Sequence, residues 1–182
     1  ISNITGSFPA PIFTYLVGAS LWISMNHQRK KGISEKQIMS RCLKRGAVIF
    51  IVGLIFNLFI WGPTELFDWD ILTLLGASTL ILYLLRNWSP RNLVGLAVLV
   101  LIVSPPLRAI TDYASHWRGD EYVYKFTMKD VSLGFLLQGY FPLFPWIVFA
   151  LMGFAIGKSY FGGEASGKLN RGKLPVIGLV LI

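Results

Sequence analysis

The stretch "GYFPLFPWIVFALMGFAIGK", residues 139–158, decides the fold class. It is apolar almost throughout and matches the ~20 residues that a helix needs to cross a bilayer. A proline inside a lipid-buried helix has no backbone N–H, so the carbonyl that would accept from it is left without a partner in the lipid. Proline costs little in the first helical turn, where the N–H groups lack intrahelical partners. The segment therefore predicts a helix that begins near Pro145, with Pro142 in the turn before it.

The same segment predicts its own surroundings. Tyr140 and Trp146 lie near the start of the helix, where aromatic side chains form a belt at the membrane interface. Gly153 and Gly157 form a GxxxG pair, which allows the backbone of another helix to approach closely. We therefore expect an anchored, tightly packed helix.

Composition extends this interpretation to the whole chain. Of 182 residues, 54% are hydrophobic and only 14% are charged, against about a quarter in soluble domains. The apolar stretches cover residues 8–25, 46–62, 70–86, 92–107 and 139–157, and a sixth begins near Pro175 and is cut short. A soluble bundle would need polar faces at helical spacing, which "AVIFIVGLIFNLFIW" does not have. The sequence predicts an all-α polytopic transmembrane helix bundle with five complete spans and a truncated sixth.

The chain is expected to be one integral-membrane domain over residues 1–182, without internal repeats or linkers. It begins at Ile1 and ends within the apolar run "LPVIGLVLI". We therefore expect a fragment of a longer protein, in which an N-terminal helix and further C-terminal helices are missing here.

Loop charges predict the orientation. The loop between the first two stretches carries seven Lys or Arg and one Glu, whereas "GPTELFDWD" carries three acids and no base. The first, third and fifth loops hold 13 of the 17 basic residues. Under the positive-inside rule these loops are cytoplasmic and residue 1 is outside. Topology and contact with membrane lipids account for the net charge of +8, so nucleic acid is not an expected partner.

Polar groups inside the predicted spans are few. The central parts of the spans hold no Asp, Glu, Lys, Arg or His, which argues against ion-coupled transport. Asn57 is the most polar side chain there, and its commoner role is a hydrogen bond between helices rather than a ligand contact. Cys42 is the one cysteine, so no zinc cluster or internal disulfide is possible, and we expect no metal.

The connection over residues 107–138 is far longer than most. It is rich in aromatic side chains, among them Trp117, which argues against disorder. It also holds His116 and Asp112, and a histidine oriented by a carboxylate can act as a general base. Two interpretations stay open: the loop covers an extracytoplasmic cavity, or it rests solvated at the headgroup interface with its charges paired.

Four basic side chains at the predicted cytoplasmic end are candidates for binding an anionic cofactor: Arg29, Lys30, Arg41 and Arg45. Contact with anionic lipid headgroups is the alternative.

Three stretches carry a family resemblance. "GYFPLFPWIVFALMGFAIGK", "FPAPIFTYLVGASLWIS" (8–24) and "WDILTLLGASTLILYLL" (69–85) are similar, in this order, to segments of bacterial membrane proteins related to the heparan-α-glucosaminide N-acetyltransferase catalytic domain. Together they cover about fifty residues of the chain, and the Pro-Leu-x-Pro-Trp type of run is the most specific part. Thr73 and Gly139 depart from the pattern, which often has Gln and Asp there.

The resemblance implies a multi-pass acyltransferase of the bacterial cytoplasmic membrane. Cytosolic acyl-CoA, such as acetyl-CoA, would meet the four basic residues, and an extracytoplasmic glycan-like acceptor would present an amine or hydroxyl. Substrate contacts are then expected from Asn3, Tyr140, Trp146 and Trp117. The family's candidate catalytic histidine precedes the helix that matches Phe8–Ser24, and so falls at or before Ile1. The alternative is a non-enzymatic membrane protein, such as a transporter of glycan or lipid precursors. The sequence indicates no oligomeric state.

Overall fold

The computed structural model describes residues 9–161, and these residues fold mainly as α-helices. The helices are α1 (Pro9–Lys30), α2 (Glu35–Ile60), α3 (Ile71–Leu84), α4 (Pro90–Ile110), α5 (Met128–Leu133) and α6 (Leu143–Phe161). One hairpin joins β1 (Trp117–Arg118) to β2 (Glu121–Tyr122), with antiparallel pairing. Short 3₁₀ turns cover Pro63–Glu65, Leu85–Asn87 and Tyr113–His116, and a π-helical turn covers Gly134–Gln138. The predicted helical class is confirmed.

Three of these helices, α2, α4 and α6, are long and apolar enough to cross a membrane. Helix α3 has 14 residues and is about 21 Å long, which is shorter than a ~30 Å hydrocarbon core. Helix α1 has 22 residues, but hydroxyl and amide side chains lower its hydropathy. The count of five complete spans therefore stays a prediction, and the stretch near Pro175 lies outside the described residues.

Successive long helices run in opposite directions, which separates the loops into two groups. Lys158, near the end of α6, donates from Nζ to the main-chain oxygens of Arg86 (2.9 Å) and Trp88 (2.7 Å), which follow α3. At the opposite side of the bundle, Tyr124 donates to the main-chain oxygen of Thr64, which follows α2. We call these the basic end and the acidic end, after the charges of their loops.

Helices α1 and α6 cross with their backbones in contact. A Cβ atom at Gly153 would collide with the main-chain oxygen of Tyr15, and one at Gly18 would collide with that of Ala150. Gly157 also faces α1, although less tightly. The close approach predicted from the GxxxG pair is confirmed, and α6 lies at the centre, in contact with α1, α3 and α4.

Helices α2 and α3 form a second close pair. A Cβ atom at Gly76 would lie 2.5 Å from the Phe50 nitrogen, and one at Gly53 would lie 2.9 Å from the Thr73 nitrogen. The far side of α2 carries exposed apolar residues such as Phe59, as a lipid-facing surface does. This packing holds the end of α2 against the start of α3.

The start of α6 follows the expectation from its prolines. Phe144 has extended backbone angles (φ −98°, ψ 122°), so the continuous helix begins at Pro145. Pro142 lies in the turn before it. Because residues 139–142 are not helical, their main chain can hydrogen-bond to the loop after α2. These contacts help to form a cavity.

Candidate active site

A cavity of about 780 Å³ opens at the acidic end. It lies between the end of α2, the loop before α3, the hairpin region and the segment before α6. Its lining is acidic and aromatic: Asn57, Trp61, Thr64, Glu65, Asp68, Asp70, Glu121, Tyr122, Val123, Tyr124, Phe126, Tyr140 and Phe141. Its size and its mixture of apolar walls with a few polar groups are typical of small-molecule sites.

Main-chain hydrogen bonds fix one wall of the cavity. The nitrogen of Tyr140 donates to the Asp68 oxygen (3.0 Å), and that of Phe141 donates to the Trp69 oxygen (2.9 Å). Tyr124 fixes the opposite wall, because its hydroxyl donates to the Thr64 oxygen (2.7 Å) and accepts from the nitrogen of residue 67 (2.9 Å). The acidic loop between α2 and α3 is therefore held from both sides.

Trp69 shapes the turn that presents the acids. Its backbone is left-handed (φ 58°), a conformation that bulky residues rarely adopt. Its indole is buried and lies 5.0 Å from the ring of Phe135, between centroids. A Cβ atom at Gly139 would be 2.9 Å from the Trp69 Cβ atom. In this chain Trp69 therefore leaves little space for any side chain at position 139.

Four carboxylates line the cavity: Glu65, Asp68, Asp70 and Glu121. Burial raises the pKa of Asp68 to about 7, and hydrogen bonding to Glu65 and the negative charge of Glu65 add to the shift. Asp70 caps α3, with Oδ1 accepting from the Thr73 nitrogen (3.1 Å), while burial raises its pKa. A carboxylate that titrates near neutral pH is suited to general acid–base chemistry.

Aromatic rings form the wall opposite the carboxylates. Tyr122 stacks on Tyr124 with ring centroids 5.3 Å apart, and Phe126 follows 5.3 Å further along. Burial raises the pKa of both tyrosines, that of Tyr124 to about 12, so both hydroxyls stay protonated and can donate. Five residues of the 107–138 loop line the cavity, namely Glu121, Tyr122, Val123, Tyr124 and Phe126, which favours the interpretation that this loop covers a cavity.

Several buried polar atoms of this cavity have no hydrogen-bond partner within residues 9–161. They are both amide atoms of Asn57, Oδ1 of Asp68 and the hydroxyl of Tyr122. Leaving such a group unpaired costs about 1–3 kcal/mol. The interhelical hydrogen bond expected of Asn57 is absent from this part of the chain, so that expectation is wrong here. Unpaired polar atoms on three residues that line one cavity favour a site for a polar ligand.

The predicted acceptor residues fall at different distances from the cavity. Tyr140 lines it, and its hydroxyl donates to the Asp120 main-chain oxygen (3.1 Å). Trp117 stands behind Tyr140, 5.2 Å away between ring centroids. Trp146 packs on aromatic neighbours in its own segment and does not line the cavity. Asn3 lies outside the described residues.

The predicted pair of His116 and Asp112 lies near this region but not in the cavity lining. The histidine Nδ1 atom is 3.2 Å from the main-chain oxygen of Asp112 and 3.2 Å from the Ser115 hydroxyl. The Asp112 side chain is exposed. The main chain, rather than the carboxylate, contacts the imidazole, and a catalytic role for the pair stays a prediction.

The four basic candidates gather at the basic end. Arg29 forms an ion pair with Glu35 (2.5 Å), and Arg41 donates to the Gln28 side-chain oxygen (2.9 Å). Lys30 and Arg45 are exposed. Glu35 compensates one of the four charges, and binding of an anionic cofactor by this group stays a prediction.

Sequence reasoning missed the acids of the cavity. The sequence uses Glu65 and Asp68 only to predict topology, and it predicts for Asn57 a hydrogen bond between helices. The available signal was the density of three acids in "GPTELFDWD", directly after a span that ends with a buried amide.

Apolar helices of membrane-spanning length and an acidic, aromatic cavity at one end indicate an integral membrane protein with a candidate ligand site. Residues 1–181 match the family described as heparan-alpha-glucosaminide N-acetyltransferase, catalytic, and the chain belongs to this family. No curated protein and no solved structure matches it. The resemblance seen in the sequence is confirmed, and membership indicates a membrane enzyme of acetyltransferase type, from a family that in general uses acetyl-CoA. The bacterial inner membrane, and the outside position of residue 1, stay predictions.

Proposed function

We propose that this protein acylates an amine or hydroxyl of a glycan-like acceptor that binds in the cavity at the acidic end. Cytosolic acyl-CoA, with acetyl-CoA as the expected form, supplies the acyl group from the basic end. Under the positive-inside rule the acidic end is extracytoplasmic, so the two substrates approach from opposite sides of the membrane.

The proposal rests mainly on the position and the raised pKa of Asp68. Its carboxyl group faces the cavity and has a pKa near 7, so near neutral pH a large share of the molecules holds a free base beside a bound acceptor. An amine acceptor is mostly protonated at that pH and must lose a proton before it attacks. Asp68 accepts that proton, and Glu65 next to it raises the affinity of Asp68 for it.

The bond changes balance without a further reagent. The neutral nitrogen or oxygen of the acceptor attacks the thioester carbonyl, a C–N or C–O bond forms, and the C–S bond breaks. For an ammonium acceptor, Asp68 holds the first proton, and the second, which the nitrogen loses as the amide forms, goes to the sulfur, so CoA leaves as the thiol. For a hydroxyl acceptor, Asp68 holds the single released proton and CoA leaves as the thiolate. The continuous part of α6 runs from Pro145 to Phe161 and is about 26 Å long, so the thioester must reach into the bundle to meet an acceptor at the acidic end.

Electrostatics favours this division of substrates. Lys30, Arg41 and Arg45 lie at the end where CoA phosphates would bind, and guanidinium groups match phosphate geometry. The carboxylates at the other end attract an ammonium group and accept hydrogen bonds from hydroxyls. The aromatic wall of Tyr122 and Tyr124 offers an apolar surface to the C–H face of a sugar ring.

The test uses full-length protein in liposomes with labelled acetyl-CoA on the basic side and methyl β-glucosaminide on the other. We expect transfer in the wild type and a 10²–10⁴-fold loss in Asp68→Asn, as for removal of a general base. Asp120→Asn, with an exposed side chain outside the lining, is the matched control. His116→Ala tests the competing histidine.

Absence of transfer together with absence of CoA binding would refute the enzyme and favour a non-enzymatic membrane protein. Transfer that survives in Asp68→Asn but fails in His116→Ala would move the chemistry away from the cavity.

A further inference from the structure

We propose that Asn57 determines acceptor specificity by binding two neighbouring hydroxyl groups of the acceptor ring at the floor of the cavity. This inference rests on the proposed function and adds a recognition element to it. Asn57 lies in a predicted span, and it would make a ligand contact that neither the carboxylates nor the aromatic wall supplies.

Burial and pairing single out this side chain. Asn57 is 1% exposed and lines the cavity. Neither Oδ1 nor Nδ2 has a hydrogen-bond partner within residues 9–161. Its main-chain oxygen accepts from the nitrogens of Trp61 (3.0 Å) and Gly62 (3.1 Å), so the main chain alone completes the helix end. The side-chain amide is therefore available to a ligand, and the helix terminus does not need it.

The surrounding packing fixes where the amide lies. One turn earlier on α2, a Cβ atom at Gly53 would lie 2.9 Å from the Thr73 nitrogen and 3.0 Å from the Leu72 Cβ atom. This contact holds α2 against the first turn of α3. Asn57 then lies level with the loop that carries Asp70, on a rigid element rather than on a mobile loop. A side chain held in this way can discriminate between ligands, because the site cannot easily rearrange around the wrong one.

The chemistry of the amide matches a pair of adjacent hydroxyls. Oδ1 accepts from one hydroxyl while the NH₂ group donates to the oxygen of its neighbour. Tyr122 also lines the cavity and has a buried hydroxyl without a partner in the described part of the chain, next to Gly134. A ring that lacks hydroxyls leaves these groups unpaired when it displaces water. Sites built to hydrogen-bond a ligand reject analogues that lack the bonding group.

The experiment measures binding by titration calorimetry on the full-length protein in detergent, without any acyl donor. The two probes are methyl β-glucosaminide, which has an amine and ring hydroxyls, and cyclohexylamine, which has an amine on a bare ring. The variants are Asn57→Leu, which keeps the size but loses the amide, and Asn92→Leu as the matched control at an exposed position near the start of α4.

We expect Asn57→Leu to weaken glucosaminide binding at least tenfold and to change cyclohexylamine binding less than twofold. Asn92→Leu is expected to bind both probes as the wild type does. The melting temperature of Asn57→Leu is expected to equal or exceed that of the wild type, because the substitution removes a buried amide without a partner. A residue that only joins helices would give the reverse, a lower melting temperature. If the leucine variant does not accumulate as folded protein, Asn57→Ala serves for the same comparison.

Unchanged glucosaminide affinity in Asn57→Leu would overturn the inference, as would equal losses for both probes accompanied by lower thermal stability. A wild type that does not bind the glucosaminide overturns it as well. Failure of the proposed function is distinguishable, because a selective loss of glucosaminide binding supports the role of Asn57 even if no acetyl transfer is observed. Conversely, acetyl transfer that does not depend on Asn57 would support the proposed enzyme activity and refute the role of Asn57 in it.

Discussion

The pH dependence of transfer follows from the state of Asp68. Its raised pKa of about 7 means that the active, deprotonated base is the minor form below this pH and the major form above it. The deprotonated fraction rises from about a tenth at pH 6 to about nine tenths at pH 8, since one unit on either side of the pKa is a factor of ten. We therefore expect kcat/KM to increase roughly tenfold over this interval.

Neighbouring groups determine the sign of a second effect. Glu65 raises the pKa of Asp68 through hydrogen bonding and its negative charge, so Glu65→Ala is expected to move the midpoint to lower pH. Asp70 and Glu121 also line the cavity. Tyr124 does not contribute, because its pKa of about 12 keeps it protonated throughout this range.

The assay is the initial rate of acetyl transfer in liposomes, measured from pH 5.5 to 8.5 at constant ionic strength. Amine acceptors titrate too, so each profile is recorded with two amines of different pKa. A limb that belongs to Asp68 keeps its midpoint with both acceptors and disappears from the residual activity of Asp68→Asn. A midpoint that follows the pKa of the acceptor, with the same limb in Asp68→Asn, would refute the reasoning.

Two further predictions concern the helix crossing and the cavity wall. Gly153→Ala is expected to destabilise the fold by about 1–3 kcal/mol, since the added methyl group collides with the backbone of α1. In the control Gly95→Ala, the added methyl group meets no other atom, so stability changes little or rises by up to about 1 kcal/mol. Thermal unfolding in detergent measures both variants, and equal melting temperatures would contradict the close crossing. Tyr124→Phe removes two hydrogen bonds to the acidic loop and is expected to raise the acceptor KM about fivefold to tenfold, or about 1–1.4 kcal/mol. The control is Tyr160→Phe, at an exposed position. An unchanged KM in Tyr124→Phe would show that this wall of the cavity does not contribute to acceptor binding.

Local features of the sequence predicted much of the helical scaffold. Proline chemistry placed the start of α6 at Pro145, because a missing N–H is harmless only in the first turn. The pair Gly153 and Gly157 predicted the crossing, because absence of a Cβ atom is a local property with a direct effect on helix distance. The number of spans was less accessible, because α3 is short and α1 is only moderately apolar.

The site was harder to predict, because its members come from separate parts of the chain. Asn57, Asp68 and Tyr122 line one cavity because of packing between helices and the left-handed turn at Trp69. Neither feature produces a periodic pattern in the sequence. The sequence paired His116 with a nearby acid instead, but a 3₁₀ turn presents the main-chain oxygen to the imidazole. Proximity along the chain therefore does not ensure a carboxylate contact to the imidazole, and the acids of the loop before α3 serve only as topology markers in the sequence.

The proposed function requires that the acceptor binds in the cavity at the acidic end. A glucosaminide with a photoreactive diazirine on its aglycone, irradiated with the full-length protein and mapped by mass spectrometry, tests this binding directly. We expect labels within residues 57–70 and 121–126, suppressed by excess methyl β-glucosaminide. Specific labelling confined to the basic end, at residues 27–45, would contradict it.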